Sequence, residues 1–308
     1  MLDFARAVAL GLSDAPRWVP ARFLYDTAGS ALFERICELP EYYLTRTEAA
    51  ILQRHAPAIR RLTGPVTLVE LGSGSSVKTD HLLRAYSEGG APVRYVPVDV
   101  SASILRVAAE RIQDTFPAVT VAEVNGEYEE AFPLLAAYAP SMLLFLGSTI
   151  GNLNATESAI FWRRVVAALP PGSYVLLGAD LAKDPAILHA AYNDAAGVTA
   201  RFTRNLFVRM NRELDAGLVL EQIVHEARWN ADWQRVEIGG RFLSTQRLHL
   251  RPLGFGVTIR KGEQVMTEVS RKFSVPRLAA YLACFGLERV AVFTDERRWF
   301  AVLLLRKA

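Results

Sequence analysis

The chain has 308 residues, 51% apolar and 22% charged, enough material for one large domain or two modest ones with a real core. A net charge of +3 with dispersed Lys and Arg gives no reason to expect a nucleic-acid groove, and no apolar run approaches the roughly 20 residues that cross a bilayer. Two cysteines, Cys37 and Cys284, and five scattered histidines rule out a disulfide scaffold and disfavour a metal centre, so a cytoplasmic protein without bound metal is expected.

The opening residues, Met1-Leu2-Asp3-Phe4-Ala5-Arg6, lack a cleavable signal pattern. To about Arg46, helical patterning is mixed with aromatic-acidic clusters, Leu24-Tyr25-Asp26 and Pro40-Glu41-Tyr42-Tyr43. Thr45-Arg46-Thr47-Glu48 has a capping-box spacing and predicts a helix running towards Arg61. From there strands and helices alternate. Residues 66–71 predict a strand, broken by Gly72-Ser73-Gly74 and followed by a helix over 78–86. Further strands are predicted at 95–99, with a helix over 103–115, and at 119–124. Residues 142–146 form a continuous apolar run, as in a strand buried on both faces, and a helix over 157–169 ends at Pro170-Pro171-Gly172. Residues 174–180 predict the fifth strand. Near the end, a helix over 276–285 precedes two strands, 289–294 and 299–305, joined by the charged turn Asp295-Glu296-Arg297-Arg298.

The fold class is therefore α/β, a doubly wound Rossmann-like sheet of five parallel strands closed by a terminal antiparallel hairpin. That is the class I methyltransferase architecture; a dehydrogenase sheet would end on another parallel strand. The intervening Arg-rich stretch is expected to join the N-terminal segment in a second, discontinuous α+β domain that binds substrate. On this reading 47–181 with 273–308 form the methyltransferase domain, and 1–46 with 182–272 the substrate domain.

Gly72 and Gly74 lie between strand and helix, where a backbone can approach a ligand closely. A dinucleotide fingerprint requires a third glycine where this chain has Val77, so no pyrophosphate is expected. Asp99 ends the second strand and can accept from both ribose hydroxyls, and Glu127 and Tyr128 after the third strand suit an adenine. Taken singly, these residues suit a plain turn, a helix cap at Ser101 and a solvated acid. One at the end of each consecutive strand points to an adenosyl cofactor. After the fourth strand stands Leu146-Gly147-Ser148-Thr149-Ile150-Gly151-Asn152. It lacks the Asn/Asp-Pro-Pro-aromatic tetrad of many nitrogen methyltransferases, which argues against DNA and glutamine side chains as acceptors. Asn152 offers a carboxamide for an amine, and equally plain turn chemistry.

Several long stretches resemble the histidine-specific methyltransferases of ergothioneine biosynthesis. They are Phe23-Leu24-Tyr25-Asp26-x-x-Gly29-Ser30-x-Leu32-Phe33, Leu39-Pro40-Glu41-Tyr42-Tyr43-x-Thr45-Arg46-x-Glu48, Val69-Glu70-Leu71-Gly72-Ser73-Gly74, Phe145 to Asn152, and Met266-Thr267-Glu268-Val269-Ser270. The resemblance spans about Arg22 to Lys307 and implies S-adenosylmethionine at Gly72, Lys78, Asp99, Glu127 and Tyr128, Lys78 facing the cofactor's carboxylate. Members usually have Gly-Asp-Phe where this chain has Gly126-Glu127-Tyr128, and some have methionine at Ile238. The resemblance further implies histidine held by Tyr42, Asn152, Tyr192, Glu268 and Ser270, with Tyr25 and Phe33 beside the amine. Glu268 and Ser270 would grip the two imidazole nitrogens. Tyr25 or a water would relay the proton while Asn152 holds the amine. Three transfers would give the trimethylated betaine hercynine. A monomer acting on free L-histidine, with no nucleic acid or membrane, is expected. The alternatives are another amine acceptor such as tryptophan or an indole derivative, a cofactor-binding protein without catalysis, and, last, an NAD dehydrogenase.

Overall fold

The computed structural model describes residues 2–308 and divides into two compact units. One comprises Leu44–Ala182 and Lys272–Ala308, the other the described residues to Tyr43 and Lys183–Arg271. In chain order the strands are β1 Thr67–Leu71, β2 Val93–Asp99, β3 Val119–Val121, β4 Val124–Asn125, β5 Ser141–Phe145 and β6 Tyr174–Asp180. There follow β7 Ile223–Asn230, β8 Arg235–Phe242, β9 Gln246–Leu250, β10 Phe255–Ile259 and β11 Gln264–Arg271, then β12 Leu287–Thr294 and β13 Phe300–Lys307.

The first unit is built on one sheet in the order β12-β13-β6-β5-β1-β2-β3, with β4 also on β2. Strands β1 to β6 run parallel, whereas β13 lies antiparallel to β6 and to β12. The continuous apolar run of β5 sits at the centre and is buried at every position, because helices cover both faces of a parallel sheet. Val69, Val96, Leu143, Phe145, Leu177 and Leu303 from neighbouring strands pack with Trp162 of the helix Ala155–Ala168 into one core. Close packing of these apolar side chains makes this core rigid.

Two local expectations need correction. The helix of 47–61 spans Leu44–Thr63, so Thr45 lies inside it rather than capping it, and Glu48 is fully buried. A capping box does occur at Asn154, whose side chain accepts from the Glu157 amide at 2.9 Å while Glu157 accepts from the Asn154 amide at 2.8 Å. The third strand is broken into β3 and β4, and each piece pairs separately with β2.

The other unit carries a three-stranded antiparallel sheet, β11-β8-β7, and the hairpin β9–β10. Its helices are Leu2–Ser13, Thr27–Glu38, Pro185–Tyr192 and Val198–Leu214. Asp26 starts the second of these by accepting from the Gly29 amide at 2.8 Å, and Asn205 and Arg212 of the last helix donate to the same carboxylate at 2.7 and 2.8 Å. No helix of the described residues is long and apolar enough to cross a membrane.

The chain leaves the large sheet after Asp180 and returns at Lys272, and these two crossings are zipped together. The Phe273 amide donates to the Asp180 carbonyl at 2.8 Å and the Ala182 amide to the Phe273 carbonyl at 3.0 Å. Lys272 and Asp180 form an ion pair at 2.8 Å with both side chains fully buried. Replacing one member of such a pair strands a charge in a medium that cannot solvate it. Lys272→Met is predicted to cost about 3–5 kcal/mol in urea unfolding; an unchanged midpoint would show that the pair does not hold the crossing.

Candidate active site

At the carboxyl edge of the large sheet, β1 ends on Glu70-Leu71 and the backbone turns at Gly72 and Gly74, with φ of +65° and +52°. Only glycine adopts these angles without strain. The Gly72 and Ser73 amides both donate to the Val98 carbonyl, at 2.8 and 3.2 Å, which fastens the turn to β2. Asp99, the last residue of β2, accepts from the Gly74 amide at 3.0 Å and from the Ser101 amide at 2.9 Å. Tyr128 crosses the same turn: a Cβ on Gly72 would stand 3.3 Å from its hydroxyl. Its ring packs edge-on against Phe145 at 5.6 Å and Phe161 at 6.2 Å. Burial pushes its phenol well up, and the neighbouring charges of Asp99, Glu129 and Glu127 add to this. Gly72, Gly74, Asp99, Glu127 and Tyr128 are thus brought together.

Lys78 leads to the hub of this unit. Its ammonium bonds the carboxylate of the fully buried Glu48, and both oxygens of Glu48 also accept from the Gly147 amide at 2.9 Å. Gly178 on β6 leaves room for that carboxylate, since a Cβ there would fall 1.9 Å from Oε1. The lysine is 23% exposed, so it is not the free-standing surface lysine that a helix position alone would suggest. Below it, Glu70 accepts from the Thr79 hydroxyl at 2.7 Å and from the Tyr95 hydroxyl, to which Ser76 donates at 2.8 Å. Burial pushes the Glu70 carboxyl up to about 7, against the pull of those hydrogen bonds and of Lys78. Gly147 opens the loop after β5 with φ +73°, Ser148 follows at +58°, and the short turn Thr149–Asn152 presents Asn152.

These residues fit an adenosyl-methionine ligand. The turn brings two glycines to the surface, an acid stands at the end of β2, and an ammonium stands beside Gly147. Between the glycines, the Ser73 hydroxyl is buried without a hydrogen-bond partner, an atom left for a ligand to satisfy.

The other unit assembles a second set. Tyr25 and Phe33 meet edge-on at 5.4 Å, Phe33 and Tyr42 at 6.4 Å, and Tyr42 and Tyr192 at 6.1 Å. The Tyr192 hydroxyl and Ser270 Oγ are hydrogen-bonded at 2.8 Å. Burial raises the Tyr42 phenol far above its ordinary range, with Tyr192, Cys37, Glu268 and Tyr25 contributing, so Tyr42 stays a neutral hydroxyl. Two members had no signal in the sequence. Phe202 sits at 5.4 Å from Tyr25 and 5.9 Å from Phe33, yet it reads as one more apolar position on an amphipathic helix. His225 donates from Nε2 to the Tyr192 carbonyl at 2.9 Å, so Nδ1 takes the Thr203 hydroxyl at 2.9 Å as an acceptor. Burial lowers its pKa, and the neutral ring fixes the backbone beneath Tyr192.

The family model described as histidine-specific, S-adenosylmethionine-dependent methyltransferase matches residues 4–307. The chain belongs to this family. It is 41% identical over 306 residues to the histidine N-alpha-methyltransferase of Mycobacterium tuberculosis, covering 99% of this chain and 95% of that one. It is 31% identical to ergothioneine biosynthesis protein 1 of Neurospora crassa over 95% of this chain, which spans 34% of the fungal protein. To the 4-dimethylallyltryptophan N-methyltransferase of Claviceps fusiformis it is 25% identical, over 94% of this chain and 88% of that one. As a member of a donor-dependent methyltransferase family, this chain is an enzyme that uses S-adenosylmethionine to methylate histidine.

The Glu70 proton gives the donor half a pH signature. Between the ordinary value of 4.5 and about 7, the folded protein retains a proton that the unfolded chain has released. Stability therefore falls as pH rises through that window and levels off above it. In Glu70→Gln this slope should vanish, as urea midpoints at pH 5 and pH 8 would record; a slope equal to that of the unaltered protein would place the proton elsewhere.

Proposed function

We propose that the methyl groups go to the α-amino nitrogen of free L-histidine, three in succession, giving hercynine for ergothioneine biosynthesis. The observation that carries this reading is the buried set of Tyr42, Tyr192 and Ser270, with the half-buried Glu268 two positions before Ser270 on the same strand, beside the rings of Tyr25, Phe33 and Phe202. The unit with Lys183–Arg271 is the substrate domain, and the sheet unit holds the donor. Gly72, Gly74, Lys78, Asp99, Glu127 and Tyr128 would bind S-adenosylmethionine, which supplies an electrophilic sulfonium methyl when bound.

The chain's own residues do the rest. Glu268 accepts from one imidazole N–H and Ser270 bonds the other ring nitrogen. A side chain lacking both nitrogens forgoes these two bonds and binds correspondingly more weakly. Tyr42 and Tyr192 donate to the substrate carboxylate, and Asn152 holds the amine. Tyr25 or a water takes the proton that the ammonium must lose before its lone pair is available. The faces of Tyr25, Phe33 and Phe202 suit the cation that grows as methyls are added. Indole has a single ring N–H and leaves one partner of the Glu268–Ser270 pair unused, so tryptophan-like acceptors are disfavoured. A cytoplasmic location fits the same reading, since Cys284 is an exposed free thiol of the kind kept in reducing compartments.

Incubation of the protein with L-histidine and methyl-labelled donor should yield a product carrying three methyls on one α-nitrogen, read by mass spectrometry; labelling confined to the ring would overturn the reading. Glu268→Ala should raise the KM for histidine about 100-fold while leaving donor affinity within about 2-fold. Equal losses of both would remove Glu268 from the substrate site.

A further inference from the structure

Strand β8 carries Ile238-Gly239-Gly240 in the middle of a sheet, where two glycines weaken a strand unless another group needs their space. The two are not equivalent. A Cβ on Gly240 would meet the Phe207 ring at 2.5 Å and Ile223 Cγ2 at 2.7 Å, which are packing atoms of the core. A Cβ on Gly239 would meet backbone instead, the Val265 carbonyl oxygen at 2.2 Å and Met266 Cα at 3.0 Å. Backbone cannot rotate out of the way as a side chain can.

Opposite Gly239 the pairing slips. Met266 is opposite Gly239 and Glu268 is opposite Ile238, so Thr267 is an extra residue on β11, a β-bulge. Its hydroxyl bonds the Ile238 carbonyl at 3.4 Å. The slip changes which face each residue occupies. Val265 and Thr267 are buried before it, and Ser270 is buried after it, an exchange of odd for even positions that an unbroken strand does not allow. On its other side the bulge is pinned: the Met266 amide donates to the Arg17 carbonyl at 3.0 Å and the Val19 amide to the Met266 carbonyl at 2.8 Å. The strand is held between Gly239 and the segment Arg17–Val19.

We propose that Gly239 and the bulge at Thr267 are the specificity-positioning device of this enzyme, setting the face on which Glu268 and Ser270 present their polar atoms to the imidazole. This rests on the reading of Glu268 and Ser270 as the imidazole partners. Gly239 touches no substrate; it acts through β11 alone. A methyl group there pushes the strand outward against the Arg17–Val19 segment and displaces both polar side chains together.

Calorimetry with histidine, in the presence of the demethylated donor, tests the device, with donor affinity and melting temperature measured alongside. Gly239→Ala should raise the histidine Kd about 10- to 100-fold with donor affinity unchanged, the scale expected for groups displaced by about 1 Å. Gly240→Ala should lower the melting temperature while histidine affinity stays within about 2-fold. In a Glu268→Ala background, Gly239→Ala should add less than about 2-fold, because the contact it positions is already gone. If Gly239→Ala does not fold, Thr267→Ala removes only the bulge hydroxyl and should weaken histidine about 2- to 5-fold. Unchanged histidine affinity in whichever of these two folds, or an undiminished penalty in the Glu268→Ala background, overturns the proposal. Unchanged histidine affinity in Glu268→Ala alone sinks the imidazole reading instead.

Discussion

A carboxylate with no exposure must be met by donors on every side, and Glu48 is where the donor half of this protein meets that demand. Its two oxygens take the Gly147 amide and the Lys78 ammonium, and β6 yields the space through Gly178. A helix, the loop after β5 and the lysine that follows the glycine turn are thereby locked to one charged group. The penalty for leaving any of these partners unpaired in the interior is several kcal/mol, which is what gives the arrangement its rigidity. Catalysis by methyl transfer needs little from the protein beyond alignment, so rigidity at this point is a functional property.

The substrate half solves a different problem. Imidazole carries two ring nitrogens, and recognising both requires polar groups buried in otherwise apolar surroundings. Tyr192 and Ser270 are hydrogen-bonded at 2.8 Å and burial keeps Tyr42 neutral, so this unit sets buried hydroxyls among aromatic rings. The bulge of β11 sets the register next to Ser270, and the neutral His225 holds the Tyr192 carbonyl.

Much of this was legible in the residues. The apolar run of β5, the β-branched run before Gly72-Ser73-Gly74 and the terminal hairpin each have a periodicity that admits few alternatives, and the large sheet follows from them. Asp99 could be placed because it ends a strand, and Tyr128 because it follows one within three residues, where topology dictates the neighbours. Glu48 was not legible. Its spacing from Thr45 matches a capping box, and local spacing cannot reveal that the helix begins at Leu44 and turns the acid inward. Phe202 and His225 were silent for a related reason: an apolar residue on an amphipathic helix and a histidine on a strand look the same whether they face a core or a ligand.

Sequence by itself determined the class of sheet and the family of chemistry, since hydrophobic period and glycine position are local properties written residue by residue. Tertiary structure alone decided which charges meet and which way side chains point. Lys272 finds Asp180 across 91 intervening positions, and Glu268 owes its face to one inserted residue opposite a glycine on another strand. Pairings of that range depend on how strands register against each other, and no stretch of chain contains that information alone.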